Sequence, residues 1–273
     1  MIPVAFEYKR ADSADEALSL LTEHGDEAKL LAGGHSLLPL MKLRLATPAV
    51  LVDVGRLDDL SYVRDAGDHV AIGALTRHRA LETSELLAEQ APILPFVAGL
   101  VGDPQVRHRG TIGGSLAHGD PASDLPAAVL ALGGSLVARG PGGEREIAAT
   151  DFFEGFLETA LADDELLTEV RVPKAAGAGW SYQKFNRRAQ DWAIVAVAAV
   201  HNGTTGIGLV NMGSVPLRAR AAEAALASGA SAADAAAVAD EGTEPSADLN
   251  ASEEYRRHLA RVLTRRALEA AGA

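Results

Sequence analysis

The chain has 273 residues, 48% of them apolar and 23% charged, which is enough for a substantial core and for two domains. Its formal net charge of −12 argues against a nucleic-acid binder, which needs clustered Lys and Arg for phosphates, and against an anionic membrane surface. With no cysteine it can form no disulfide and can ligate no iron–sulfur cluster through thiolates.

Taken in chain order, Ser13-Ala14-Asp15-Glu16 has the form of a capping box, and it predicts a first helix that stops at Gly25. Residues 28–32 read as a buried strand, and Gly33-Gly34 then turns the chain into a helix over residues 36–43. A second strand is expected over 49–54 and a hairpin over 60–75, turning at Asp65-Ala66-Gly67-Asp68. Thr76 is expected to cap a helix reaching about residue 88, and Pro92 and Pro95 to bracket another helix start. Residues 102–124 read as a long stretch rich in glycine and polar side chains.

A hairpin is expected from 135–138 and 144–148, then a short helix near 152–157, then a strand over 166–172 ended by Pro173. The small, Gly-rich run Lys174-Ala175-Ala176-Gly177-Ala178-Gly179 reads as a linker. Beyond it, strands are expected at 182–186, 193–200 and 205–212, followed by alanine-rich helices. The last helix, 252–270, should bury Tyr255, Leu259, Val262 and Leu263 and expose its arginines. The class is α+β. The longest aliphatic run, 193–200, is too short to cross a bilayer. The first residues lack the basic and long apolar regions of a signal peptide, so a cytoplasmic location is expected.

Two glycine-rich segments carry the chemistry. Ala32-Gly33-Gly34-His35-Ser36-Leu37 follows a strand and opens a helix, where successive peptide N–H groups suit an anion such as phosphate. It is neither the G-x-G-x-x-G dinucleotide fingerprint nor a P-loop, which lowers the weight of ordinary NAD dehydrogenases and nucleotide kinases. Thr111-Ile112-Gly113-Gly114-Ser115 repeats the pattern. Either segment alone reads more readily as a plain turn. Two of them facing each other would grip both phosphates of a diphosphate.

With Asp120-Pro121-Ala122-Ser123-Asp124-Leu125-Pro126 downstream, the combination resembles the FAD-binding medium subunit of the molybdenum hydroxylase family, the group of carbon monoxide dehydrogenase and xanthine dehydrogenase. The resemblance runs along the whole chain. It implies a split FAD-binding domain of the PCMH/vanillyl-alcohol-oxidase type over residues 1–176, with subdomains at about 1–55 and 56–176. A smaller C-terminal α+β domain of the carbon monoxide dehydrogenase flavoprotein type would cover 177–273.

By the same resemblance FAD is held noncovalently, its pyrophosphate contacted by Ala32, Gly33, Gly34, His35, Ser36 and Leu37 and by Thr111, Gly113, Gly114 and Ser115. Ser115 stands where many relatives carry Asn. Gly102 would let the chain pass close to the flavin, and Leu167 would make a backbone contact. Asp124 would accept bonds from ribose hydroxyls near the adenosine half, although it also reads as the N-cap of a helix over 125–132. Lys184 would lie near the isoalloxazine and favour the anionic reduced flavin; on its own it reads as a solvated strand residue. Trp192 would shield one face of the ring, or equally serve as a packing or interface side chain.

His35 lies in the pyrophosphate loop, away from the ring, so no covalent histidine–flavin bond is expected. His118, Asp120 and Asp124 do not have the spacing of a zinc site. The implied role is electron relay without a catalytic acid or base. A large partner subunit would hold the molybdenum cofactor and a small one two [2Fe–2S] clusters, in a heterohexamer that delivers electrons to NAD or a quinone. Two other readings compete: a standalone flavin oxidoreductase of the same fold, and a non-catalytic FAD-binding or assembly protein.

Overall fold

The computed structural model describes residues 1–273. The chain opens with β1 (Glu7–Arg10), α1 (Ala14–His24), β2 (Ala28–Leu31), α2 (Leu37–Leu43) and β3 (Val50–Asp53). The three strands form a parallel sheet in the order β1-β3-β2, which requires crossover helices, and α1 and α2 supply them. The Ser13 hydroxyl accepts the Glu16 N–H at 3.1 Å, and the Glu16 carboxylate accepts the Asp12 N–H at 2.7 Å. The cap is thus reciprocal but reaches one residue further back than a capping box. α1 then buries Ala14, Ala17, Leu18 and Leu21 with Val50 and Val52 of the sheet.

Next come β4 (Val63–Asp65), β5 (His69–Gly73) and six helices: α3 (His78–Glu82), α4 (Glu85–Gln90), α5 (Ile93–Gly99), α6 (Pro104–Arg109), α7 (Ile112–His118) and α8 (Asp124–Leu132). β6 (Ser135–Gly140), β7 (Gly143–Ala148), β8 (Phe153–Gly155), β9 (Glu158–Thr159) and β10 (Leu166–Pro173) follow. β4, β5, β10, β6 and β7, in that order, make an antiparallel sheet, and β8 and β9 a separate ribbon.

Two sequence expectations fail in this region. The helix expected from Thr76 to residue 88 is two helices, because the Thr76 hydroxyl is tied to the Tyr62 peptide while Ser84 caps a fresh start by accepting the Leu87 N–H. The stretch 102–124, to which the sequence assigned no element, carries α6 and α7. Asp103 caps α6 at Val106 with Pro104 at the first helical position, and Thr111 caps α7 at Gly114. The helix expected near 152–157 is the β8–β9 ribbon, turned at Leu157 with φ of 60°.

The C-terminal domain is a meander of β11 (Gly179–Phe185), β12 (Val195–Asn202), β13 (Thr204–Val210) and β14 (Leu217–Arg218), followed by α9 (Arg220–Ala227), α10 (Ala232–Ala237) and α11 (Glu253–Ala271). β12 reads Val-Ala-Val-Ala-Ala-Val because it is covered on both faces, by α11 on one side and α8 on the other. α8 is buried at every residue and seats on two side-chain-free strand positions. A Cβ at Gly206 or Gly208 would lie 2.1 Å from the carbonyl oxygen of Ala131 or Ala127. One continuous core therefore runs from β5 and β10 through α8 to Tyr182, Ala196 and Ala198.

α11 buries Leu259 and Leu263, as its pattern predicts, but not the expected Tyr255, which is 42% exposed and meets Phe185 edge-on. In its place Arg256 is buried and donates to the Ile194 carbonyl and to Asp248. The core face of α11 thus follows Arg256, Leu259, Ala260, Leu263 and Ala267.

Candidate functional site

Where the three-stranded sheet, the five-stranded sheet and the C-terminal domain meet, the protein encloses a cavity of about 680 Å³. Every residue singled out from the sequence lines it: Ala32, Gly33, Gly34, His35, Ser36, Leu37, Gly102, Thr111, Gly113, Gly114, Ser115, Asp124, Leu167, Lys184 and Trp192. Gly34 turns the chain with φ of 77°, in the left-handed region where a side chain is disfavoured. A Cβ at Gly33 would lie 2.5 Å from the Arg109 carbonyl oxygen, so the first loop packs on the segment that leads into the second. Arg77 fastens this junction, donating to the carbonyls of Arg109 and Gly55.

The two glycine segments differ in kind. From Gly33 to Leu37 no peptide N–H donates a hydrogen bond to any backbone or side-chain acceptor of the chain. A consecutive run of such amides at a cavity wall is a nest for an anion. In the second segment the amides are already engaged: Ile112 with the Thr76 carbonyl at 3.0 Å, Gly113 with Ala74 at 2.8 Å, Gly114 with the Thr111 hydroxyl at 3.1 Å and Ser115 with Thr111 at 3.0 Å. The repeat seen in the sequence is therefore not a repeat of function. Thr111 and Ser115 bring hydroxyls, and Gly113 and Gly114 bring thinness. A Cβ at Gly113 would strike Ala74 at 2.5 Å, and one at Gly114 would lie 3.9 Å from the Ala32 Cβ across the gap.

At another part of the wall the Asp124 carboxylate accepts from the Tyr182 hydroxyl at 2.5 Å and from the Lys184 ammonium at 2.8 Å. The side chains of Lys184 and Asp124 are only 9% and 8% exposed. Burial pushes the Asp124 carboxyl upward, while the ammonium and the hydroxyl pull against it; the Tyr182 hydroxyl is pushed well up by burial and by the carboxylate. Asp124, read from the resemblance as a ribose contact, and Lys184, read as a cation beside the ring, are thus bonded to each other at one stretch of the wall. Asp124 is also not an N-cap: Ser123 holds that position, and Asp124 is the first residue of α8.

Several wall residues gave no signal in the sequence. His78, buried under Gly110, has an Nδ1 without a partner, and burial together with nearby His35 holds its imidazolium down to about 4. Leu21, Leu30, Leu161, Ala162 and Leu166 also line the cavity, with Lys29, Asp163 and Glu165 among them. These positions come from separate elements and meet only after folding, so no local spacing reveals them. Trp192 lies at the wall with 59% of its surface exposed.

Residues 4–175 match the family described as the FAD-binding domain in molybdopterin dehydrogenase, and residues 180–271 the carbon monoxide dehydrogenase flavoprotein C-terminal domain. The chain is 43% identical to the carbon monoxide dehydrogenase medium chain of Afipia carboxidovorans, over 100% of this chain and 99% of that protein. It superimposes on a chain of the carbon monoxide dehydrogenase of Hydrogenophaga pseudoflava with a TM-score of 0.95 at 44% identity, covering 100% of this chain and 99% of the other. Against quinoline 2-oxidoreductase of Pseudomonas putida the TM-score is 0.91 at 33% identity, covering 100% and 99%.

Proposed function

Because the chain belongs to the FAD-binding medium-subunit family of the molybdenum hydroxylases, we propose that it relays electrons from a partner's [2Fe–2S] clusters, through FAD held in this cavity, to an external acceptor. The observation that carries the reading is the run of unengaged amides from Gly33 to Leu37, an anion nest within a protein of net charge −12. FAD, when bound, accepts electrons singly and releases them in pairs.

The chain's own residues bind and orient. The amides of residues 33–37 hold the pyrophosphate, and the hydroxyls of Thr111 and Ser115 hold it from the facing side. Gly113 and Gly114 keep that side thin. Gly102 and Leu167 line the passage between, and Lys184 places a cation beside the ring system. Trp192, largely exposed at the wall, stands where an acceptor would approach.

The absence of cysteine supports placing the clusters in a small partner subunit, and we place the molybdenum cofactor in a large one. We expect the three kinds of subunit to form a heterohexamer, with NAD or a quinone as acceptor. Relatives named for carbon monoxide and for quinoline share this subunit's shape, which supports locating substrate choice in the molybdenum subunit.

Purified with its partners, the protein should show flavin absorbance that acid releases into the supernatant, and partner clusters once reduced should bleach that absorbance. Colourless protein that takes up no FAD, or flavin that no cluster reduces, overturns the reading.

A further inference from the structure

We propose that Asp124 is a positioning residue: it keeps Lys184 charged and fixed at the cavity wall, with Tyr182 fixing the carboxylate in turn, and this unit sets the midpoint potential of the bound flavin. The second half of the proposal rests on the reading of the cavity given above; the first does not.

The unit is built across the junction of the two domains. Asp124 opens α8, whereas Tyr182 and Lys184 are alternate residues of β11, so both side chains leave the same face of that strand. The hydroxyl takes one carboxylate oxygen and the ammonium the other. A third contact, from the ammonium to the Leu100 carbonyl at 3.5 Å, is long, so the ammonium keeps donor capacity beyond Asp124.

Asp124 and Tyr182 are the only titratable groups bonded to this ammonium or to its carboxylate. β12 presents Ala196 opposite Lys184, and the end of α5 presents only the Leu100 peptide. Along the cavity wall, His118 has Asp120 as its charged neighbour and Asp191 is bonded to Arg188.

A nearly buried ammonium stays charged only if a counterion offsets its desolvation, and here a single carboxylate does so. An anion-favouring charge at that point stabilises a ligand more when the ligand has gained electrons, which makes the ammonium a determinant of potential. Asp124 acts on that charge through its bond to the ammonium.

Labelling of lysine amines in the full chain as a function of pH, read at Lys184 by mass spectrometry, tests the first half without any cofactor. Asp124→Asn should bring Lys184 into reaction at lower pH than in the wild type. Tyr182→Phe removes a hydrogen bond from the same buried spot but keeps both charges, so it should leave the profile in place. With FAD bound, the midpoint potential of Asp124→Asn should fall toward that of Lys184→Met as pH rises, and at low pH should rise to the wild-type value or above it, because the ammonium then stands without its carboxylate.

A Lys184 profile in folded Asp124→Asn that superimposes on the wild type overturns the proposal. If the single variant does not fold, the double variant Asp124→Asn/Lys184→Met decides, since it removes both charges and should refold; a double variant no more stable than the single also overturns it. Failure of every form to take up FAD would instead overturn the reading of the cavity and leave the labelling result standing.

Discussion

At the scale of single residues, the protein keeps a neutral imidazole under its anion nest. His78 is buried beside His35, Arg77 and Arg107, and its pKa lies near 4 instead of the ordinary 6.5. Folding thus favours the neutral ring. The stability this contributes is complete above pH 6.5 and is lost as pH falls from 6.5 toward 4, a difference of up to about 3 kcal/mol. Urea unfolding of the cofactor-free chain should show that loss, and His78→Gln should flatten the curve in that window. A variant whose pH dependence matches the wild type would remove His78 as the cause. Nothing near residue 78 in the sequence marks it, because its environment comes from Gly110 and His35, far along the chain. Gly33 and Gly34 are the opposite case: strand, paired glycines and helix are contiguous, so the turn they make is readable locally.

At the scale of elements, α8 holds the two domains together. Every one of its residues is buried, and it rests on β13 where Gly206 and Gly208 have no side chains. Gly208→Ala would set a methyl 2.1 Å from the Ala127 carbonyl oxygen, against backbone on both sides, where no rotamer change relieves the clash. We expect a loss of about 3 kcal/mol in urea unfolding, the upper part of the range for overpacked cores. A loss below 0.5 kcal/mol would show that the helix and sheet can part.

Element types were mostly legible from periodicity, and the failures share a physical cause. Thr76 looked like a helix cap but its hydroxyl is bonded across the hairpin to Tyr62, and the stretch after Phe152 looked helical but Phe153–Gly155 pairs as a ribbon strand. In the first case a contact across the hairpin outweighed the local preference, and in the second a tight pairing with Glu158 and Thr159 did. The second glycine segment is a subtler case. Its residue types announced an anion loop, yet its amides are bonded to Ala74, Thr76 and Thr111.

At the scale of the whole molecule, three layers meet at one cavity, so the site exists only in the completed fold. Part of the cavity wall was readable because residues 32–37 and 111–115 are two short, distinctive runs. Its arrangement was not, because the bond between Asp124 and Lys184 joins residues on different domains. The unequal treatment of the two glycine segments has a further outcome that can be seen from outside. In the empty chain the amides of residues 33–37 should trade their protons for deuterons from heavy water almost at once, while Gly113 and Ser115 trade slowly. On loading with FAD, the first group should slow by orders of magnitude and the second should hardly change. If both segments slow together, the diphosphate is gripped evenly after all. If only the first does, the chain carries a built-in gauge of its own loading, readable in the mass of one short peptide.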